Sequence, residues 1–136
     1  MQQRREQICL PGQLESVPAG RHFLTMMLLE CELTALSDAV ALAASEVLSN
    51  AVLHARTSIE VVFDLGEQLI VSVHDGTPPW TSTGPGVSHL ALPASDSETG
   101  RGLALVAAVT DTWGVRPKLS GKAVWFSLAL PGLDPS

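Results

Sequence analysis

Hydrophobic and polar positions follow two different rhythms along this chain. In QLIVSVHD, residues 68–75, Leu69, Val71 and Val73 alternate with Ile70, Ser72 and His74, the period of a half-buried strand. SIEVVFDL, residues 58–65, reads as its partner, with Gly66-Glu67 as a hairpin turn between them. Upstream the rhythm is helical. Phe23, Met26, Met27 and Leu29 recur near helical spacing in a predicted helix over residues 19–33, opened by Pro18. A second helix is predicted over residues 38–54, with Ser37 as N-cap and Asp38 suited to the positive helix end. Residues 7–10 predict a short first strand closed by Pro11-Gly12, and TWGVRP and GKAVWFSLAL predict two last strands.

Between these elements, residues 76–100 break the pattern. GTPPWTSTGPGVSHLALPASDSETG is rich in Gly, Pro, Ser and Thr, and a loop of this length inside one domain is expected to be a lid, a binding loop or disordered. Periodicity returns in GRGLALVAAVTDTW, a helix entered through glycines. The order β-α-α-β-β-loop-α-β-β places hairpins side by side. That predicts an α+β fold, a two-layer sandwich whose mostly antiparallel sheet is covered on one face by about three helices.

Composition narrows the function classes. The 136 residues predict a single domain over 1–136, large enough to bury roughly 65–70 % of its unfolded surface. Hydrophobic residues are 46 % and charged residues 16 %, a globular balance. The net charge is −6 and no basic run exceeds Arg4-Arg5, which argues against a nucleic-acid partner. Cys9 and Cys31 form no metal or disulfide pattern and read as reduced thiols. MQQRREQICLPG lacks the character of a signal peptide, and no run of roughly 18 uninterrupted apolar residues predicts a membrane span. The expectation is a soluble cytoplasmic protein with a small-molecule or protein partner.

Three places carry candidate chemistry. In SEVLSNAVLHA, Glu46, Asn50 and His54 stand four apart on an otherwise apolar helix. They form one polar stripe, either a solvated face or the lining of a pocket, with His54 more structural than catalytic. Asp75-Gly76 closes the second strand of the hairpin. It is either an ordinary turn or the rim of a site. Gly100-Arg101-Gly102 leads into a helix whose free N–H groups receive phosphate well, although a plain loop-to-helix junction has the same composition.

The order and spacing of the three resemble the nucleotide site of the GHKL ATPase and kinase superfamily, with its Bergerat ATP-binding fold. SEVLSNAVLHA resembles the N box, VSVHDGTPP the adenine-binding box, TGRGLALVAAVTDTWGV the phosphate and lid box, and GKAVWFSLALP the closing strand. The likeness is nearest to the small anti-sigma-factor-like serine/threonine kinases of Gram-positive bacteria. It implies ATP and Mg²⁺ as cofactors. Glu46 would act as the general base or polarise the attacking group, Asn50 would help hold Mg²⁺, and Asp75 with Gly76 would receive adenine. Gly100, Arg101, Gly102 and Leu103 would wrap the phosphates, beneath a lid over residues 76–100. It also implies a protein partner, a sigma factor or its antagonist, and a possible homodimer.

Two positions depart from the family pattern. Thr77 stands where relatives often have the box glycine, and Ala123 follows Lys122 where many carry a threonine that meets adenine through water. One lost hydrogen bond is worth about 0.5–1.5 kcal/mol. A non-catalytic nucleotide- or protein-binding module is the alternative function. A hydrolase built on His22, His54, His74 or His89 has no nucleophile with an orienting partner.

Overall fold

The computed structural model describes residues 3–54, 58–75, 104–118 and 121–131. Strands β1 (Arg4–Leu10), β2 (Ile59–Leu65), β3 (Gln68–Asp75), β4 (Thr112–Lys118) and β5 (Gly121–Ala129) form one sheet. Its order is β1-β2-β3-β5-β4, and every pairing is antiparallel. Helices α1 (Ser16–Glu30) and α2 (Ser37–His54) and a helical segment over residues 104–109 cover one face. The predicted two-layer α+β sandwich is the fold.

Paired residues in an antiparallel ladder share a face, so the register names the core. Leu65, Leu69 and Leu128 make one row, then Phe63, Val71 and Phe126, then Val61, Val73 and Val124. These rows meet the buried stripe of α2, formed by Val40, Ala43, Ala44, Val47, Leu48 and Ala51. The stretch Thr34–Leu53, at mean hydropathy 1.3, is apolar and long enough to pass for a membrane span by length and composition. Here it includes the helix whose apolar stripe packs on the sheet, and 33 % of its most apolar window is buried. Gly20 lets α1 close against α2, since a methyl there would stand 2.9 Å from Leu48 Cδ1.

Four boundaries differ from expectation, each for a local reason. β1 begins at Arg4 rather than residue 7, because charged side chains are held by partners. Arg5 Nη1 reaches Asp64 of β2 at 2.8 Å, and Arg4 Nη2 reaches Glu30 of α1 at 2.9 Å. α1 begins at Ser16, whose buried hydroxyl donates to the Pro11 carbonyl, so Pro18 sits in the first turn where no N–H is needed. α1 ends at Glu30, three residues early. Leu33 N–H bonds to Leu28 O at 2.8 Å and Glu32 N–H to Leu29 O at 3.1 Å, the paired bonds of a Schellman stop. The residue this stop places in the left-handed region is Glu32, at φ 60°. Finally, Ser37 is itself helical rather than an N-cap, because a 3₁₀ turn over Thr34–Leu36 feeds directly into α2.

A left-handed non-glycine residue costs roughly 1–2 kcal/mol, against the ~0.5–1 kcal/mol glycine loses in backbone entropy. Glu32→Gly is therefore expected to raise stability by up to about 1 kcal/mol, read as a higher urea midpoint at unchanged slope. The cysteines give a second check. Cys9 is exposed and Cys31 buried. Burial pushes the Cys31 thiol up, while the nearby Arg4 charge pulls the other way. In the native protein a thiol reagent should label Cys9 and reach Cys31 only on unfolding. Because the folded thiol holds its proton longer than the unfolded one, its contribution to stability is full at neutral pH. That contribution should fall as pH rises above roughly 8.5.

Candidate functional site

Each residue of α2 turns about 100° from the last, so the helix has two flanks beside its buried stripe. Ser45 lies on one, next to Leu48 at the edge of the stripe. Leu48 packs at Gly20, and Arg21 Nη1 of α1 donates to Ser45 Oγ at 3.0 Å. Glu46 and Asn50 lie on the other, and both are half-buried. α1 sits over β1 and β2, and α2 over β3. The Glu46–Asn50 flank therefore looks toward the β5 side of the sheet.

Chain connectivity decides which end of the sheet they serve. α2 ends at His54, and five residues later β2 begins at Ile59, a link spanning at most about 18 Å. Ile59 pairs with Asp75, and Asp75 pairs with Lys122. The end of α2, the start of β2, the end of β3 and the start of β5 thus share one end of the domain. Asn50 lies one turn before His54, about 6 Å along the axis, and Glu46 one turn before that.

Asp75 caps the apolar rows. It shares the helix-covered face with Val73 and Val71, and it is the one charged residue that is buried among those described. Its side chain is 2 % exposed, and its Oδ2 accepts from Lys122 Nζ at 2.8 Å, with the lysine side chain 15 % exposed. Removing a carboxylate from water is costly unless it is paired, and the opposed ammonium meets that need.

The register also reassigns a position. Ala123 pairs with His74 and Arg116, so it points to the sheet face away from the helices. The β5 side chain beside Asp75 is Lys122, one residue earlier. The threonine-like position assigned to Ala123 from the sequence is therefore not the one that meets the carboxylate. Nothing local in GKAVWFSLAL reveals this, because the β3–β5 pairing joins segments far apart in the chain.

The third helix finishes at the opposite end of the sheet. Val106 is fully buried in the core, and Thr110 Oγ1 donates to Val106 O at 2.7 Å as the helix finishes. Asp111 N–H then bonds to Ser127 O at 2.9 Å, and its Oδ2 accepts from Ala129 N–H at 2.6 Å. This clip starts β4 across from Ser127, at the end of the sheet remote from Asp75. Gly76, Thr77, Gly100, Arg101, Gly102, Leu103 and the predicted lid over residues 76–100 lie outside the described residues.

The described part of the site offers a buried acceptor at a strand end and, from the helix above, a carboxylate and an amide. An ionised carboxylate suits an amino group, and oxygen donors such as Glu46 and Asn50 suit a hard cation such as Mg²⁺. The sequence profile of the histidine kinase-like ATPase domain matches residues 10–128. The chain belongs to that family. No curated protein matches it by sequence.

As a member of the GHKL superfamily, this ATPase domain is expected to bind ATP, usually with Mg²⁺. Glu46, Asn50 and Asp75 fit the two groups by the chemistry of their donors. The Asp75–Lys122 pair is the feature that reading the boxes alone did not anticipate. It also gives a stability check without nucleotide. Asp75→Ala strands the ammonium, and breaking a buried pair costs 3–5 kcal/mol. Since Lys122 retains some contact with water, a loss of about 3 kcal/mol is expected in chemical denaturation, with Lys122→Ala and the double variant closing the cycle.

Proposed function

We propose that this ATPase domain is a regulatory serine/threonine protein kinase of the anti-sigma type. It takes ATP with Mg²⁺ and transfers the γ-phosphoryl group to a serine of an antagonist protein. When that antagonist is unavailable it sequesters a sigma factor, a role that belongs in the cytoplasm. The observation that carries this reading is Glu46 and Asn50, one turn apart on the α2 flank that faces the Asp75 side of the sheet. Mg²⁺ held with the help of Asn50 would neutralise charge on the phosphates. Glu46 accepts the serine proton as the hydroxyl oxygen bonds to phosphorus, and ADP leaves with the electrons of the broken P–O bond. The outer helices expose Met26, Leu29, Leu42 and Leu53, apolar surface of the kind a protein partner or second copy would cover.

A second reading has its own support. Asp75, the candidate adenine acceptor, already has a cation at 2.8 Å. A domain whose base pocket is satisfied internally would serve as a binding module without turnover.

Transfer of radiolabel from ATP to a candidate serine-bearing antagonist, alongside calorimetric titration of Mg-ATP, separates the two. Glu46→Ala should lower transfer by roughly 10²–10⁴-fold, the range for general-base catalysis, while leaving ATP affinity nearly intact. Asn50→Ala should raise the Mg²⁺ concentration that transfer needs and lower transfer itself. Transfer that continues unchanged in both variants overturns these roles. Mg-ATP binding without transfer in the wild type favours the module.

A further inference from the structure

We propose that the outer face of α1 and α2 beside their connecting turn, centred on Met26, Leu29 and Leu42, docks a basic amphipathic helix of a partner protein. Such a surface gives the partner role proposed above a place on the molecule, and it rests on that reading only for the existence of a protein partner. Two contacts between the helices fix the geometry. A methyl on Gly20 would stand 2.9 Å from Leu48 Cδ1, and Arg21 Nη1 donates to Ser45 Oγ. The helices therefore run antiparallel, and equal rises along each axis set Met26 level with Leu42 and Leu29 level with Asp38. Met26 and Leu29 share a face one turn apart on α1. Met26, Leu29 and Leu42 are 40 %, 56 % and 40 % exposed.

Single surface leucines are ordinary, and the charge around these is what selects an occupant. Residues 22–55, from mid-α1 through all of α2, contain no lysine or arginine. They do contain Glu30, Glu32, Asp38 and Glu46, and the first three stand at or beside the connecting turn. Glu32 and Asp38 are exposed and make no ion pair among the described residues. The arginines that come near are engaged, Arg4 with Glu6 and Glu30, and Arg21 with Ser45. A solvated helix face normally mixes both signs of charge. Leucines rimmed by acids alone complement a helix with leucines on one side and lysines or arginines beside them. Two neighbouring helices, with axes about 8–10 Å apart, leave a shallow groove that suits a third. A second copy fits worse, since it would bring acids of like sign to one contact in a chain of net charge −6.

The probe is a synthetic peptide of roughly 18 residues, about 27 Å long as a helix, with leucines on one face and lysines on the other. Its binding to the full chain is read by fluorescence anisotropy of a dye on the peptide. Two controls run beside it, one with glutamate for every lysine and one scrambled so that no apolar face forms. The basic peptide should bind at least about tenfold more tightly than either control. Leu29→Asp and Leu42→Asp, each checked for folding by thermal melt, should each weaken it at least about tenfold. Leu29→Ser and Leu42→Ser serve if the aspartate variants do not fold. Glu32→Gln combined with Asp38→Asn should weaken binding at least about threefold at low salt and little at high salt, where the charges are screened. Leu14→Asp, an exposed leucine at the other end of the helix pair, should leave binding unchanged.

A control peptide that binds as well as the basic one overturns the inference, because composition alone then explains the contact. Unchanged binding in the leucine variants overturns it as well, and so does an equal loss in Leu14→Asp. Sedimentation that shows a dimer of the chain dissolved by Leu29→Asp puts a second copy on this face and has the same effect. No nucleotide enters these measurements. Failed peptide binding beside intact phosphoryl transfer removes this inference alone. Failed transfer beside the expected peptide pattern removes the kinase reading and leaves the docking surface standing.

Discussion

The pairing of β3 with β5 is the constraint on which both the core and the site hang. Its register sends Val73, Val71 and Leu69 to the same face as Val124, Phe126 and Leu128, where the helices cover them. Strand side chains alternate with a period of two, so a slip of one residue would send Ala123 and Trp125 inward and carry Phe126 and Lys122 to the open face. The apolar rows admit only one register, and that register delivers Lys122 to Asp75. Burial of Phe126 and placement of a cation beside a carboxylate are therefore consequences of the same hydrogen-bond ladder.

α2 has to satisfy two demands that pull its composition in opposite directions. Its buried stripe must be small and apolar to lie close on the sheet, which Ala43, Ala44, Val47 and Ala51 achieve. One flank also carries an acid and an amide toward the end of the helix. The helix meets both by keeping Glu46 and Asn50 at half-burial beside the stripe rather than opposite it. Small side chains at the contact let the backbone approach the sheet, and that approach brings the polar flank near the strand ends. Gly20 plays the corresponding part between the helices, seating α1 on the far flank and leaving the Glu46 side clear of it.

The site is thus assembled from elements that end or begin at one edge of the molecule. A carboxylate on the helix-covered face belongs where the strand stops, since the apolar rows cannot extend past it. Asp75 is the last residue of β3, and its burial is sustained by the ammonium opposite. At the other end, Asp111 clips the start of β4 to β5 through Ser127 and Ala129, anchoring the third helix by its finish. The two ends are used differently: one is tied down by backbone hydrogen bonds, and the other gathers the polar groups.

Much of this was legible in the sequence where the signal is local. The β2–β3 hairpin follows from alternation around Gly66-Glu67, and α2 from a long apolar period of helical spacing. Glu46, Asn50 and Asp75 were visible because each interrupts such a pattern. The charged start of β1 was not, because Arg4 and Arg5 extend the strand by pairing with Leu65 and Asp64 of β2 and meeting Glu30 of α1, all elsewhere in the chain. The end of α1 was missed because Glu32 occupies a conformation usually given to glycine. Lys122 was hidden for a deeper reason. Side-chain period tells which residues of a strand share a face, but not which residue of a distant strand lies opposite. That offset between β3 and β5 is set only when both strands bury their apolar rows beneath the same helices.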